Sequence, residues 1–245
     1  MRNRLLLLPG WGLGCAPLEP LAAALQGLDE RLRVQIEPLP LLDSSDPEDW
    51  LDELDANLPL DTWLGGWSLG GSLAAELAAR RGERCCGLIS LASNPCFVAR
   101  ADWPSGMPPA TFATFQQGCA ADAATTLKRF ALLCAQGAAE ARGLARLLVS
   151  AAPLGQPPHL LAGLALLAAL DSRGALQGFQ GPQLHLFAGA DALLPSTVAG
   201  DLLALLPDTE IGLIEQASHA FLLERPHELA AAIQAFLHES GDDWP

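Results

Sequence analysis

Short apolar runs alternate along this chain with stretches in which apolar residues recur at helical spacing. Runs at 4–8, 33–37, 62–67, 86–92, 184–189 and 210–214 predict strands, separated by helical stretches near 17–26, 48–57, 69–81, 197–205 and 226–239. Strand, helix, strand repeats of this kind imply an α/β protein. A mostly parallel sheet of about six strands is expected, with helices on both faces. The rhythm breaks between residues 97 and 178. No strand is evident there, and Ala/Leu-rich helical stretches at 110–118, 121–136, 138–151 and 158–170 are punctuated by Pro104, Pro108, Pro109, Pro153, Pro157 and Pro158. The expected organisation is an α/β core formed by 1–96 and 179–245, with a helical insert at 97–178 that caps it.

Half of the 245 residues are hydrophobic, enough for one sizeable core. The longest apolar stretch, Leu160 to Leu170, contains Gly163 and is too short to span a bilayer, so no membrane partner is expected. With 14 basic against 28 acidic residues, the chain carries a net charge of −14, which argues against nucleic acid as a partner. The insert does not share that bias. Between 97 and 175 there are six basic residues (Arg100, Lys128, Arg129, Arg142, Arg146, Arg173) and four acidic ones (Asp102, Asp122, Glu140, Asp171). Arg142 and Arg146 are four apart and share a helix face. That face is either simply solvated or a docking patch for an acidic macromolecule.

Cys15, Cys85, Cys86, Cys96, Cys119 and Cys134 show no C-x-x-C spacing, so reduced thiols and a cytoplasmic location are expected. Arg2 and Arg4 before four leucines, with Cys15 beyond, faintly suggest a lipoprotein signal. Pro9 and Gly10 interrupt that stretch short of the roughly 7–15 residues of an apolar signal region. No His, Cys or Glu spacing suggests a metal site, and no cofactor is expected.

The densest chemical signal is Gly65-Gly66-Trp67-Ser68-Leu69-Gly70-Gly71. A serine between glycines, after an apolar run and before a helical one, fits a sharp strand-to-helix turn that lifts Oγ above the sheet edge. The helix behind it directs free N–H groups to where an oxyanion would form. Asp191 follows the run 184–189, and His219 follows 211–214, so both sit on loops at strand carboxyl ends. The order Ser68, Asp191, His219 is that of a Ser-Asp-His triad on a strand-helix sheet. In it His219 serves as general base and then acid, while Asp191 fixes its tautomer. Leu69, just after the serine, supplies one oxyanion N–H, and Trp11, in the Pro9-Gly10-Trp11-Gly12 loop after the first strand, supplies the other. His159, His227 and His238 are expected at the surface, and His185 inside a strand is expected to pack in the core.

Five segments together carry a family resemblance. They are Leu8-Pro9-Gly10-Trp11-Gly12, residues 65–71, Leu91-Ala92-Ser93-Asn94-Pro95-Cys96-Phe97, Lys128-Arg129-Phe130-Ala131-Leu132, and the Asp191 and His219 loops. The chain resembles the BioH family of pimeloyl-[acyl-carrier protein] methyl ester esterases of biotin synthesis, which have the α/β-hydrolase fold. The resemblance covers nearly the whole chain. It implies a serine carboxylesterase with Ser68, Asp191 and His219 as triad and Trp11 and Leu69 flanking the acyl group. It further implies that Phe130, Ala131, Leu132, Leu133 and Cys134 line an acyl channel, and that Arg129, Arg142 and Arg146 contact the acidic acyl carrier protein. A monomer is expected. Pro9 stands where the family usually has histidine, which bears on hydrogen bonding behind the oxyanion loop. Short-chain esterases, carbon-carbon hydrolases or lyases and perhydrolases share the triad and the capped fold. A non-catalytic receptor is the remaining alternative.

Overall fold

The computed structural model describes residues 3–153, 157–195 and 197–242. The elements in chain order are β1 (Arg4–Leu8), α1 (Glu19–Leu28), β2 (Arg33–Ile36), α2 (Pro47–Asn57), β3 (Thr62–Trp67), α3 (Leu69–Arg81) and β4 (Cys85–Leu91). Then follow α4 (Pro109–Ala121), α5 (Ala123–Ala135), α6 (Ala141–Ala151), α7 (Pro157–Ala169) and α8 (Arg173–Gly178). The chain closes with β5 (Gln183–Ala188), α9 (Val198–Leu205), β6 (Glu210–Ile214), α10 (Phe221–Glu224) and α11 (Pro226–Asp242). The six strands form one sheet in the order β2-β1-β3-β4-β5-β6, with every neighbouring pair parallel.

Burial explains why the strands were legible as apolar runs. Every residue of β3 and β5 is buried, because helices cover both faces of the sheet. The edge strands β2 and β6 are more exposed. On one face α1 packs against α11; on the other, α3 lies against β3 and β4 with α2 and α8 beside it. Trp63 of β3 meets Phe236 of α11 edge-on at 5.7 Å. The order reverses at β1, whose neighbours are β2 and β3. Such a switch point opens a crevice at the strands' carboxyl ends, where open α/β sheets bind their ligands.

Four helices, α4 to α7, occupy the stretch between β4 and β5 where no strand was expected. The sequence pattern missed α8, which packs against α3 beside the sheet. The ends of the insert are tied together by charge. Arg173 donates to Asp171 at 2.8 and 2.7 Å and to Asp102 at 2.9 Å, and Arg100 donates to the carbonyls of Ala169 and Leu170. Asp171 is accordingly held well below the usual carboxylate range by the Arg173 guanidinium. No helix is long and apolar enough to cross a membrane among the described residues.

His185 is fully enclosed in β5, and burial alone pushes it from 6.5 down to about 3. An unfolded chain protonates this imidazole below about pH 6.5, whereas the folded chain resists until far lower. His185 therefore costs nothing above that pH and destabilises the fold as pH falls, by about 1.4 kcal/mol per unit. Between about pH 7.5 and about pH 5, His185→Leu is expected to lose roughly 2 kcal/mol less stability than the parent in denaturant unfolding. Parallel losses in the two proteins would contradict this.

Candidate active site

At the carboxyl end of β3 the chain turns into α3 through Ser68, whose φ of 56° and ψ of −118° lie outside the regions L-residues favour. The surroundings impose that conformation. Ser68 N donates to Leu91 O at 2.9 Å, and Ser68 O accepts from Gly71 N at 3.0 Å. The two motif glycines permit the contacts this needs. A Cβ on Gly66 would lie 2.2 Å from the backbone of Gly70, and one on Gly70 would lie 2.3 Å from Leu8 O. Ser68 occupies the N-cap position of α3 without using its side chain to cap it, so Oγ is not spent on the helix.

Asp191 and His219 come together from the loops after β5 and β6. His219 Nδ1 lies 2.7 Å from Asp191 Oδ2, with side chains 0% and 3% exposed. Asp191 Oδ1 accepts from Leu193 N at 2.7 Å and Leu194 N at 3.0 Å, so the buried carboxylate is satisfied on both oxygens. The ladder continues past the strands: Gly189 N donates to Ile214 O at 2.8 Å and Ala190 N to Ala217 O at 2.9 Å, fixing one loop against the other. A proton on Nδ1 directed at Asp191 leaves Nε2 as the imidazole's acceptor. Nε2 is buried with no hydrogen-bond partner among the described residues. Trp67, immediately before the serine, donates its indole N–H to His219 O at 3.0 Å and sets its ring 5.6 Å from the imidazole. Ser68 and His219 are thus referenced to one rigid side chain. Glu215, also on this loop, is exposed.

Leu69 opens α3, so its N–H is among those with no partner within the helix. The Pro9–Gly12 loop runs along the same helix start. A Cβ on Gly70 would lie 2.6 Å from Pro9 O, and one on Gly10 would lie 3.1 Å from the Trp67 ring. The loop that carries Trp11 thus packs on the start of the helix that Leu69 opens. Trp11 also reaches away from the sheet: its Nε1 donates to Leu160 O of α7 at 2.8 Å. That link between the Pro9–Gly12 loop and α7 had no sequence signal.

Above the switch point lies a small cavity, of about 20 Å³, lined only by apolar side chains, among them Trp11, Phe97, Met107, Phe112, Phe115 and Phe130. Trp11 meets Phe130 at 5.1 Å and Phe115 at 5.6 Å, both edge-on. Of the five consecutive residues expected to line an acyl channel, Phe130 and Leu133 line this cavity. Ala131 and Cys134 are buried outside its lining, and Leu132 is 54% exposed. One face of a helix cannot present five successive side chains. Sequence reasoning missed Phe97, Met107, Phe112, Phe115, Leu164, Leu167 and Leu193.

Arg129 on α5 and Arg142 and Arg146 on α6 are exposed, and the two helices pack together. None of the three forms an ion pair among the described residues, and Lys128 beside them is equally exposed. His227 and His238 are exposed; His159 instead is partly buried and pairs with Asp43 at 2.9 Å. The six cysteines are free thiols. No group of three His, Cys, Asp or Glu is arranged to hold a metal ion among the described residues.

The model of the alpha/beta hydrolase family matches residues 5–232. The chain belongs to the alpha/beta hydrolase family. Within it, this hydrolase is of the BioH type. It is 36% identical over 244 residues to the pimeloyl-[acyl-carrier protein] methyl ester esterase of Aeromonas hydrophila, covering 95% of this chain and 94% of that protein. It is also 36% identical over 241 residues to the biotin biosynthesis bifunctional protein BioHC of Cellvibrio japonicus, covering 96% of this chain. The hydrolase spans about half of that longer relative, 47% of its length. Among solved structures, an esterase from Exiguobacterium antarcticum superposes with a TM-score of 0.83 at 16% identity, covering 96% of this chain and 92% of that one. At that identity the likeness concerns the fold.

Proposed function

We propose that this hydrolase is a serine carboxylesterase that removes methanol from the methyl ester of pimeloyl-[acyl-carrier protein], releasing pimeloyl-[acyl-carrier protein] for biotin synthesis. The observations that carry the catalytic part are the strained Ser68 and a buried Asp191–His219 pair whose Nε2 is unspent, with Trp67, the residue before Ser68, bonded to the His219 carbonyl. Ser68 Oγ attacks the ester carbonyl while His219 Nε2 takes its proton. The N–H groups of Leu69 and Trp11 stabilise the oxyanion, and methanol leaves with the proton from His219. Water, deprotonated by His219, then hydrolyses the acyl-enzyme. No cofactor enters these steps.

The substrate class rests on three supports. The apolar cavity suits an uncharged methyl ester and methylene chain, because an ionised carboxylate there would be left without a partner. The relatives' names specify this ester. The third support is the charge on the insert, 97–178, which serves as the cap. Arg100 and Arg173 are committed to its ends, which leaves Lys128, Arg129, Arg142 and Arg146 exposed for an acidic carrier.

Replacing Arg129, Arg142 and Arg146 together by Glu is expected to lower kcat/KM for the carrier-bound ester about tenfold or more at low salt, through association. A small free ester should be turned over nearly as before. The defect should shrink as salt is raised, since about 0.1 M screens exposed charges beyond roughly 10 Å. Equal losses on both substrates, or no loss on the carrier substrate, would contradict the docking role.

A further inference from the structure

We propose that Glu224 is a positioning residue for His219, an inference that rests on His219 as the base. Glu224 Oε1 accepts two hydrogen bonds from Ser218, from its N at 2.9 Å and from its Oγ at 2.5 Å. Ser218 Oγ in turn accepts from Ala220 N at 3.3 Å. One carboxylate oxygen thereby holds the residue before His219, and through its hydroxyl the residue after it. Both Ser218 and His219 are fully buried.

The chain is shaped to make this contact. Beyond β6 the loop passes through Gln216 at a φ of 55° and then folds into α10, a single turn that brings Glu224 back beneath Ser218. Phe221 N donates to Ser218 O at 3.0 Å and closes that turn. The loop is gripped from elsewhere by Trp67 Nε1 on His219 O and by Cys134 O, which accepts from Ala220 N at 3.1 Å. Among these grips, only the one from Glu224 is charge-assisted, and such bonds are roughly twice as strong as neutral ones. Asp191 fixes the imidazole at Nδ1, but the backbone bearing the imidazole determines where Nε2 points. A displacement of about 1 Å at a catalytic group can cost about a hundredfold in rate.

The test measures kcat and KM on a free short-chain ester, with thermal melting, for Glu224→Ala, Glu224→Gln and Ser218→Ala in the full chain. Glu224→Ala is expected to lower kcat about 10- to 100-fold with KM within about twofold, because ground-state binding in the apolar cavity is untouched. Glu224→Gln keeps an acceptor oxygen for both donors and should recover most of that loss. Ser218→Ala, which removes the hydroxyl alone, should show a smaller loss in the same direction, and it decides the matter should Glu224→Ala fail to fold. Normal kcat per folded molecule with only a lowered melting temperature would overturn the proposal, as would Gln failing to rescue. Fluorophosphonate labelling of Ser68 in the parent separates this outcome from a failure of the esterase reading itself.

Discussion

Ser68→Ala is expected to lower ester turnover by about 10⁶-fold, the scale of removing the nucleophile from a serine protease, while leaving a folded protein. The same substitution should abolish labelling by a fluorophosphonate, which adds once per chain to the parent. The size of the effect follows from geometry. Ser68 is the nucleophile candidate at the turn between β3 and α3, and its φ of 56° is maintained by close glycine contacts rather than by its side chain. Alanine retains the backbone and loses only Oγ. Stoichiometric labelling that persists in Ser68→Ala would place the nucleophile elsewhere.

Asp191→Asn is expected to reduce kcat by about 10⁴-fold, as in the equivalent serine-protease substitution. Asp191 Oδ1 is held by the N–H groups of Leu193 and Leu194, and Oδ2 faces His219 Nδ1. An amide cannot accept at both oxygens' positions. With its oxygen toward the two N–H groups, the NH₂ faces Nδ1, which must then be the unprotonated nitrogen. The proton moves to Nε2, and the base is lost. Stability should change far less than turnover, since the side chain keeps its shape. Near-normal turnover would mean that Asp191 does not orient the base, and exposed Glu215 offers no substitute from its present position.

The sheet and the Ser68 turn were legible because each depends on local pattern. A strand buried on both faces must be a short apolar run, as β1, β3 and β5 are. The serine turn must carry glycine where Gly66 and Gly70 nearly touch neighbouring backbone. What stayed hidden depends on contacts between distant residues. α7 is apolar all round, so its pattern could not show that Leu164 and Leu167 face the cavity. The bond from Trp11 to Leu160 spans 149 positions and ends on a backbone carbonyl, which no side chain reports. α10 is one turn long, too short for any period, and with it went the contact between Glu224 and Ser218. Leu132 was misplaced for the opposite reason: it is apolar, yet it lies on the solvent side of α5.

The most direct test of the central claim is methanol release by the purified chain from pimeloyl-carrier-protein methyl ester, measured beside a free short-chain methyl ester. The account predicts turnover of both, a higher kcat/KM for the carrier-bound ester, and loss of both activities in Ser68→Ala. Hydrolysis of the free ester with none of the carrier-bound one would contradict it.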